Sequence, residues 1–274
     1  FFSTHTTAYE ILSGLVGSEM CIRDRLIVKS INGEVECKKL IVAINAWTPS
    51  FFSFLSRSVI LVSSDMIISE PINNKIEKLN LNNGIVVLDS NLFTHYYRST
   101  IDGRLMFGKG GNTFSLNNKV IRSFDGPSSI ENFLKKSLVK FFPSLKNTKI
   151  MQSWNGPSER TKTGFPFFGY HPKNKNIIYG FGYSGNGILP TYVGGEILSS
   201  MALEEKNEWT MSNFCKGPIK QFPPEPFRWI GAIIIRNAVR RKEKAEQHDK
   251  NPNWIDQQLA KLATSIGRVD RIKD

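Results

Sequence analysis

The chain has 274 residues, 40% of them hydrophobic and 11% aromatic, which suffices for a sizeable core in one large or two smaller domains. A charged fraction of 22% argues against disorder, and no apolar run approaches the roughly 18 residues of a membrane span. The formal charge of +12 comes from scattered lysines, as in Lys173-Asn174-Lys175-Asn176, with no Cys/His finger and no aromatic-basic RNA motif, so nucleic acid is not an expected partner.

Residues 1–25 carry Glu10 and Glu19 and lack the basic start of a signal peptide. They resemble a translated sequencing adapter, so the native chain is expected to begin near Leu26 with its N-terminal part lost. A short helix over Thr7–Leu15 is the other reading. Leu26–Lys29 and Val35–Ile44 are β-rich runs around Ile31-Asn32-Gly33-Glu34, a hairpin signal. The second run is apolar through its middle and ends at Asn45-Ala46-Trp47-Thr48-Pro49, where the proline forces an exit. Ser58–Glu70, Gly84–Leu88, Thr94–Arg98 and Arg104–Gly108 read as further strands, the last two joined through Asp102-Gly103. Short turns between them predict a mostly antiparallel sheet. Ser128–Phe142 has helical spacing, with Ile130, Phe133, Leu134, Leu138 and Phe141 on one face and Ser128 or Ser129 as cap. Lys149–Trp154 and Ile177–Phe181 are the last strands. The second of these runs into Gly182-Tyr183-Ser184-Gly185-Asn186-Gly187 and a helix over Thr191–Ala202. Beyond Phe222 the chain turns basic, and Phe227–Glu246 reads as an amphipathic helix.

Cys21, Cys37 and Cys215 are far apart, give no metal spacing and suggest no disulfide framework, which fits a cytoplasmic protein. A strand, a glycine-rich turn and a helix together favour bound negative charge. Glycines let the backbone approach a ligand, and a helix N-terminus presents free N–H groups and positive potential. A purely structural turn explains the same residues as readily. The order of segments is more specific: IVAINAWTP, SEP, HYYRSTIDGRLMFGKGG, WNGPSERTKTGFPFFG and IIYGFGYSGNGILPTYVGGEIL. Over about Leu26–Leu203 this succession resembles the FAD-dependent oxidoreductase family that includes D-amino-acid oxidase, glycine oxidase, sarcosine oxidase and bacterial gamma-glutamylputrescine oxidase.

That resemblance implies an α+β fold: a partial FAD-binding α/β domain (26–49 and 161–210), an antiparallel-sheet substrate domain (50–160) and a basic tail with a C-terminal helix (211–274). It implies non-covalent FAD near Ala43, Asn45, Ala46 and Trp47, and against the backbones of Gly182, Gly185, Asn186 and Gly187 with Ile188 at a helix N-terminus. The implied chemistry is hydride transfer from the carbon beside an amine to the flavin. In the family's amino-acid oxidases an arginine grips the substrate carboxylate. Aligned from Trp154 without gaps, that position here is Ser158, with Arg160 two residues on and Arg98 on another strand. The expected substrate-binding residues are therefore Tyr97, Arg98, Ser158 and Arg160, or else the substrate is an amine without an α-carboxylate. Tyr96 and Tyr97 alternate along a strand, so one faces the core and the other the pocket. Trp154, His95 and His171 are expected to be structural. The family's GxGxxG turn does not occur in the sequence, so the isolated chain is expected to bind FAD poorly. Two rival readings are an electron-transferring dehydrogenase subunit and a membrane-surface protein. The latter would use Trp229, Ile230, Ile233, Ile234 and Val239 beside Arg236, Arg240, Arg241, Lys242 and Lys244, against a core-docked helix with a basic outer face.

Overall fold

The computed structural model describes residues 25–82, 84–121, 124–218 and 220–264; residues 1–24, and the Thr7–Leu15 helix reading with them, lie outside. The strands are β1 (Leu26–Ser30), β2 (Gly33–Cys37), β3 (Leu40–Val42), β4 (Val59–Ser69), β5 (Val86–Leu88), β6 (His95–Ser99), β7 (Leu105–Phe114), β8 (Ile150–Thr161), β9 (Phe167–His171) and β10 (Asn174–Phe181). The helices are α1 (Thr48–Phe51), α2 (Asn73–Lys78), α3 (Glu131–Phe141), α4 (Pro190–Leu203), α5 (Phe227–Glu246) and α6 (Trp254–Thr264). This is the expected α+β class. Among the described residues, no helix is long and apolar enough to cross a membrane.

The chain divides into two compact units. The first takes residues up to Ala43, Phe167–Phe181 and Ile188–Gly217; the second takes Ile44–Pro166, Gly182–Gly187 and Pro218–Asp274. In the first unit, β1 and β2 form an antiparallel hairpin, and β3 pairs in parallel with β10, which pairs antiparallel with β9. The run expected as one strand over Val35–Ile44 is two, split at Lys38-Lys39. Lys39 turns away to bond the Ala202 carbonyl at 2.6 Å and the Glu204 carboxylate at 2.5 Å, a cation at the C-terminal end of α4.

In the second unit the strands run β5-β6-β7-β4-β8, all antiparallel. Ile67 of β4 and Leu105 and Phe107 of β7 pack with Leu134 and Leu138 of α3, Leu145, and Ile72, Ile76 and Leu81 from the α2 region. Each such side chain contributes about 1.5–3 kcal/mol by leaving water. On β4 the buried Asp65 carboxyl accepts hydroxyl bonds from Ser63 and Ser128, both at 2.7 Å, as a buried polar group requires. Ser128 Oγ also accepts the Ile130 N–H at 3.2 Å, just before α3 begins at Glu131 without a side-chain bond from its capping residue Ile130.

The C-terminal helix α5 has the expected bounds and buries Ala238 and Val239, but Arg236 and Arg240 turn inward. Arg236 donates to the Asn112 carbonyl at 2.7 Å and lies over the Phe114 ring, and Arg240 bonds the Asn112 side chain at 3.0 Å. Trp229 donates its indole N–H to the Phe114 carbonyl at 3.1 Å. Arg241 pairs with Asp256 of α6. Arg236 and Arg240 thus satisfy acceptors of β7, while Phe227, Ile230 and Ile234 are exposed.

Candidate functional site

Directly paired residues on antiparallel strands point to the same face of a sheet. The row Gly110–Ser64–Gly156 across β7, β4 and β8 therefore forms a strip with one hydroxyl and no other side chain. A Cβ built on either glycine would meet nothing within 4 Å, so the space above the strip is open. One row along stand Tyr96, Gly108, Met66 and Trp154. Tyr96 leans back over the strip, its hydroxyl 2.6 Å from Ser64 Oγ. From the other end Arg160 donates to Ser158 Oγ at 2.7 Å and to the Glu159 carbonyl at 3.0 Å. Burial raises the Tyr96 phenol above its usual range, while the Ser64 bond and the charge of Arg160 pull against it. The Tyr96 hydroxyl thus borders the open strip, and Arg160 stands two rows along the same face beyond the buried Val62 and Ile60, a pairing of donors suited to a small anionic or zwitterionic ligand.

Glu159 alternates with Ser158 and Arg160, so its side chain faces the other way, where it is 1% exposed. It accepts the Ser184 N–H at 3.2 Å, and the Asn45 side chain lies near enough to favour its charged form. Thr161 donates its N–H to Ser184 Oγ at 3.0 Å. Burial raises Glu159 above the usual carboxylate range; its hydrogen bonds and Arg160 oppose that shift. Ser184 and Gly185 hold φ of 56° and 85°. A Cβ on Gly185 would stand 2.5 Å from Arg160 Nη1, so only glycine lets the guanidinium lie on this turn.

Of the expected substrate residues, Ser158 and Arg160 come together. Tyr97 does not join them: it lies on the helix-covered face, stacked on Phe107 and edge-on to Phe142, and Tyr96 takes its place. Arg98 is exposed, bonding its neighbour's carbonyl. Its row meets β8 at Gln152, so about 27 Å of strand separates it from Arg160. Of the expected cofactor residues, Asn45, Ala46 and Trp47 form a 3-10 turn in the second unit, with Ala46 fully buried. Gly182, Gly185, Asn186 and Gly187 belong to the same unit, whereas Ala43 and Ile188 belong to the first. Ile188 is 95% exposed, and α4 starts only at Pro190, the residue that favours a first helical position. The glycine turn therefore precedes the helix and does not open it. Ser64 and Glu159 escaped sequence inspection. Glu159 had a usable signal, since a carboxylate between two site residues of one strand must face the opposite side.

Residues 18–201 match the model of the FAD dependent oxidoreductase family. The chain belongs to this family. It is 29% identical over 176 residues to gamma-glutamylputrescine oxidoreductase of Escherichia coli, covering 64% of this chain and 39% of that protein. It is 35% identical over 82 residues to glycine oxidase of Bacillus licheniformis, covering 29% of this chain and 22% of the other. The fold resembles that of glycine oxidase from Geobacillus kaustophilus, with TM-score 0.54 at 17% identity, over 70% of this chain and 48% of that one. The chain spans less than half the length of these relatives. The second unit suits the family's FAD at one edge. Asn45 Oδ1 is a buried acceptor with no protein partner among the described residues, a group that a ligand N–H completes. Gly182 and Gly185, with φ of 95° and 85°, supply bare left-handed backbone in the same unit.

Proposed function

We propose that the protein oxidises a small amine or amino acid, with FAD held non-covalently by Asn45, Ala46, Trp47 and the Gly182–Gly187 turn. The open Gly110–Ser64–Gly156 strip between Tyr96 and Arg160, in a chain of this family, carries the reading. FAD, when bound, supplies the hydride acceptor. Arg160 holds a substrate carboxylate through its forked N–H donors, displacing part of its bond to Ser158. The Tyr96 hydroxyl, steered by Ser64, supplies a further donor and limits how far the substrate slides along the strip. An amine without a carboxylate would leave Arg160 on Ser158 and depend on the strip alone. Segments 26–49 and 161–210 are proposed as parts of the FAD-binding domain and 50–160 as the substrate domain. Of the basic residues in the membrane-surface reading, Arg236, Arg240 and Arg241 bond protein groups.

The test is the absorbance spectrum of the protein as its source DNA encodes it. Visible flavin bands bleached by an added amine or amino acid are expected, and oxygen uptake against an artificial acceptor then separates oxidase from dehydrogenase. A folded, colourless protein that takes up no FAD would overturn the proposal.

A further inference from the structure

We infer that Glu159 is a positioning residue that ties the Asn45–Trp47 turn to the Gly182–Gly187 turn, so that the two move as one body. Asn45 and Ser184 both adopt left-handed backbone, with φ of 47° and 56°. Asparagine tolerates that conformation, but for Ser184 it costs about 1–2 kcal/mol and persists where surroundings enforce it. The same carboxylate faces both residues: it accepts the Ser184 N–H at 3.2 Å, and the Asn45 side chain stands close enough to help hold its charge, with Asn45 Oδ1 left without a partner among the described residues. Strand β8 therefore grips the glycine turn at successive residues on its two faces. Glu159 holds Ser184 from one side, and Arg160 lies on Gly185 from the other. A shift of the turn would carry Arg160 with it, linking the expected cofactor edge to the substrate strip. Glu159 faces away from the strip and touches no substrate.

The meaning of the two turns rests on the proposed function; their coupling does not. Hydrogen exchange in the FAD-free protein reads the coupling directly. Glu159→Ala is expected to speed exchange at both turns by about tenfold, the equivalent of one lost charged hydrogen bond, while the β4–β7 core stays protected. Glu159→Gln is expected to stay within about threefold, because its amide can serve Ser184 N–H and Asn45 Oδ1 together. In FAD titrations followed by flavin fluorescence, the same ranking is expected, with Glu159→Ala binding about tenfold more weakly. Should Glu159→Ala not accumulate as folded protein, Glu159→Asp, one methylene shorter, is expected to loosen both turns. Faster exchange at one turn alone, equal loss across the core, or a Gln variant as damaged as Ala would overturn the inference. A wild-type protein that binds no FAD would sink the function proposed above and leave the exchange result standing.

Discussion

Replacing Glu225 with alanine removes the counter-charge that holds the start of α5. Its carboxylate accepts from Arg228 Nε at 2.9 Å and Nη2 at 2.6 Å, and from the N–H groups of Asn117 at 3.1 Å and Trp229 at 3.0 Å. The Arg228 side chain is 3% exposed and that of Glu225 13%. Arg228 Nη1 also donates to the carbonyls of Ser56 and Val59, so the guanidinium cannot swing out to water without abandoning them. Taking one partner from a buried pair costs about 3–5 kcal/mol, and the residual exposure of Glu225 sets the expectation at about 3 kcal/mol. At about 1.4 kcal/mol per factor of ten, amides of Phe227–Glu246 should exchange on the order of a hundredfold faster. Hydrogen exchange by mass spectrometry resolves that segment from the rest. The double variant Glu225→Ala with Arg228→Met buries no lone charge and should recover at least about half of the loss in free energy. A single-variant change below about fivefold, or a double variant worse than the sum of its parts, would refute this account.

Gly108→Ala should destabilise by about 1–3 kcal/mol in chemical denaturation, because the new methyl would stand 2.1 Å from Met66 Sδ and 2.7 Å from the Asp65 carbonyl oxygen, which is backbone and cannot rotate away. Gly110→Ala meets nothing within 4 Å and should leave stability within about 0.5 kcal/mol, while it raises substrate KM by narrowing the strip. Burial raises Glu159 from 4.5, with Arg160 and Tyr183 the charged or titratable groups coupled to it. A raised folded-state value means stability fully present below pH 4.5 and lost as pH climbs through the raised value. Denaturation midpoints of Glu159→Gln should therefore gain on wild type across that window, and a constant difference at all pH values would contradict the assignment.

Strand β4 and helix α5 were legible almost end to end, since their apolar spacing suits a central strand and a docked helix. Strands β7 and β8 extend well past the limits that propensity sets at Gly108 and Trp154. Gly110 and Gly156 weaken strand propensity, and Pro157 cannot donate to a ladder. Pro157 is tolerated because β8 is an edge strand. The two glycines are the residues that keep the strip open, so features that hid the strands also make the site. Alternation placed Tyr96 and Tyr97 on opposite faces but could not say which faces α3. That depends on Phe107 and Phe142, contacts distant in sequence. The inward turn of Arg236 and Arg240 was illegible for a related reason. Hydropathy does not register that the Asn112 and Phe114 carbonyls of β7 take their donors from a helix more than a hundred residues on.

The interleaving of the two units bears on how the chain is made. Strand β3 leaves the ribosome before its parallel partner Ile177–Tyr179, and the whole second-unit sheet is synthesised in between. The sheet of β4–β8 can close as soon as Thr161 emerges, while β3 waits with an open edge. A nascent chain paused before Ile177 is thus the form most in need of a chaperone. Neither unit can be obtained whole by cutting the gene at a single point.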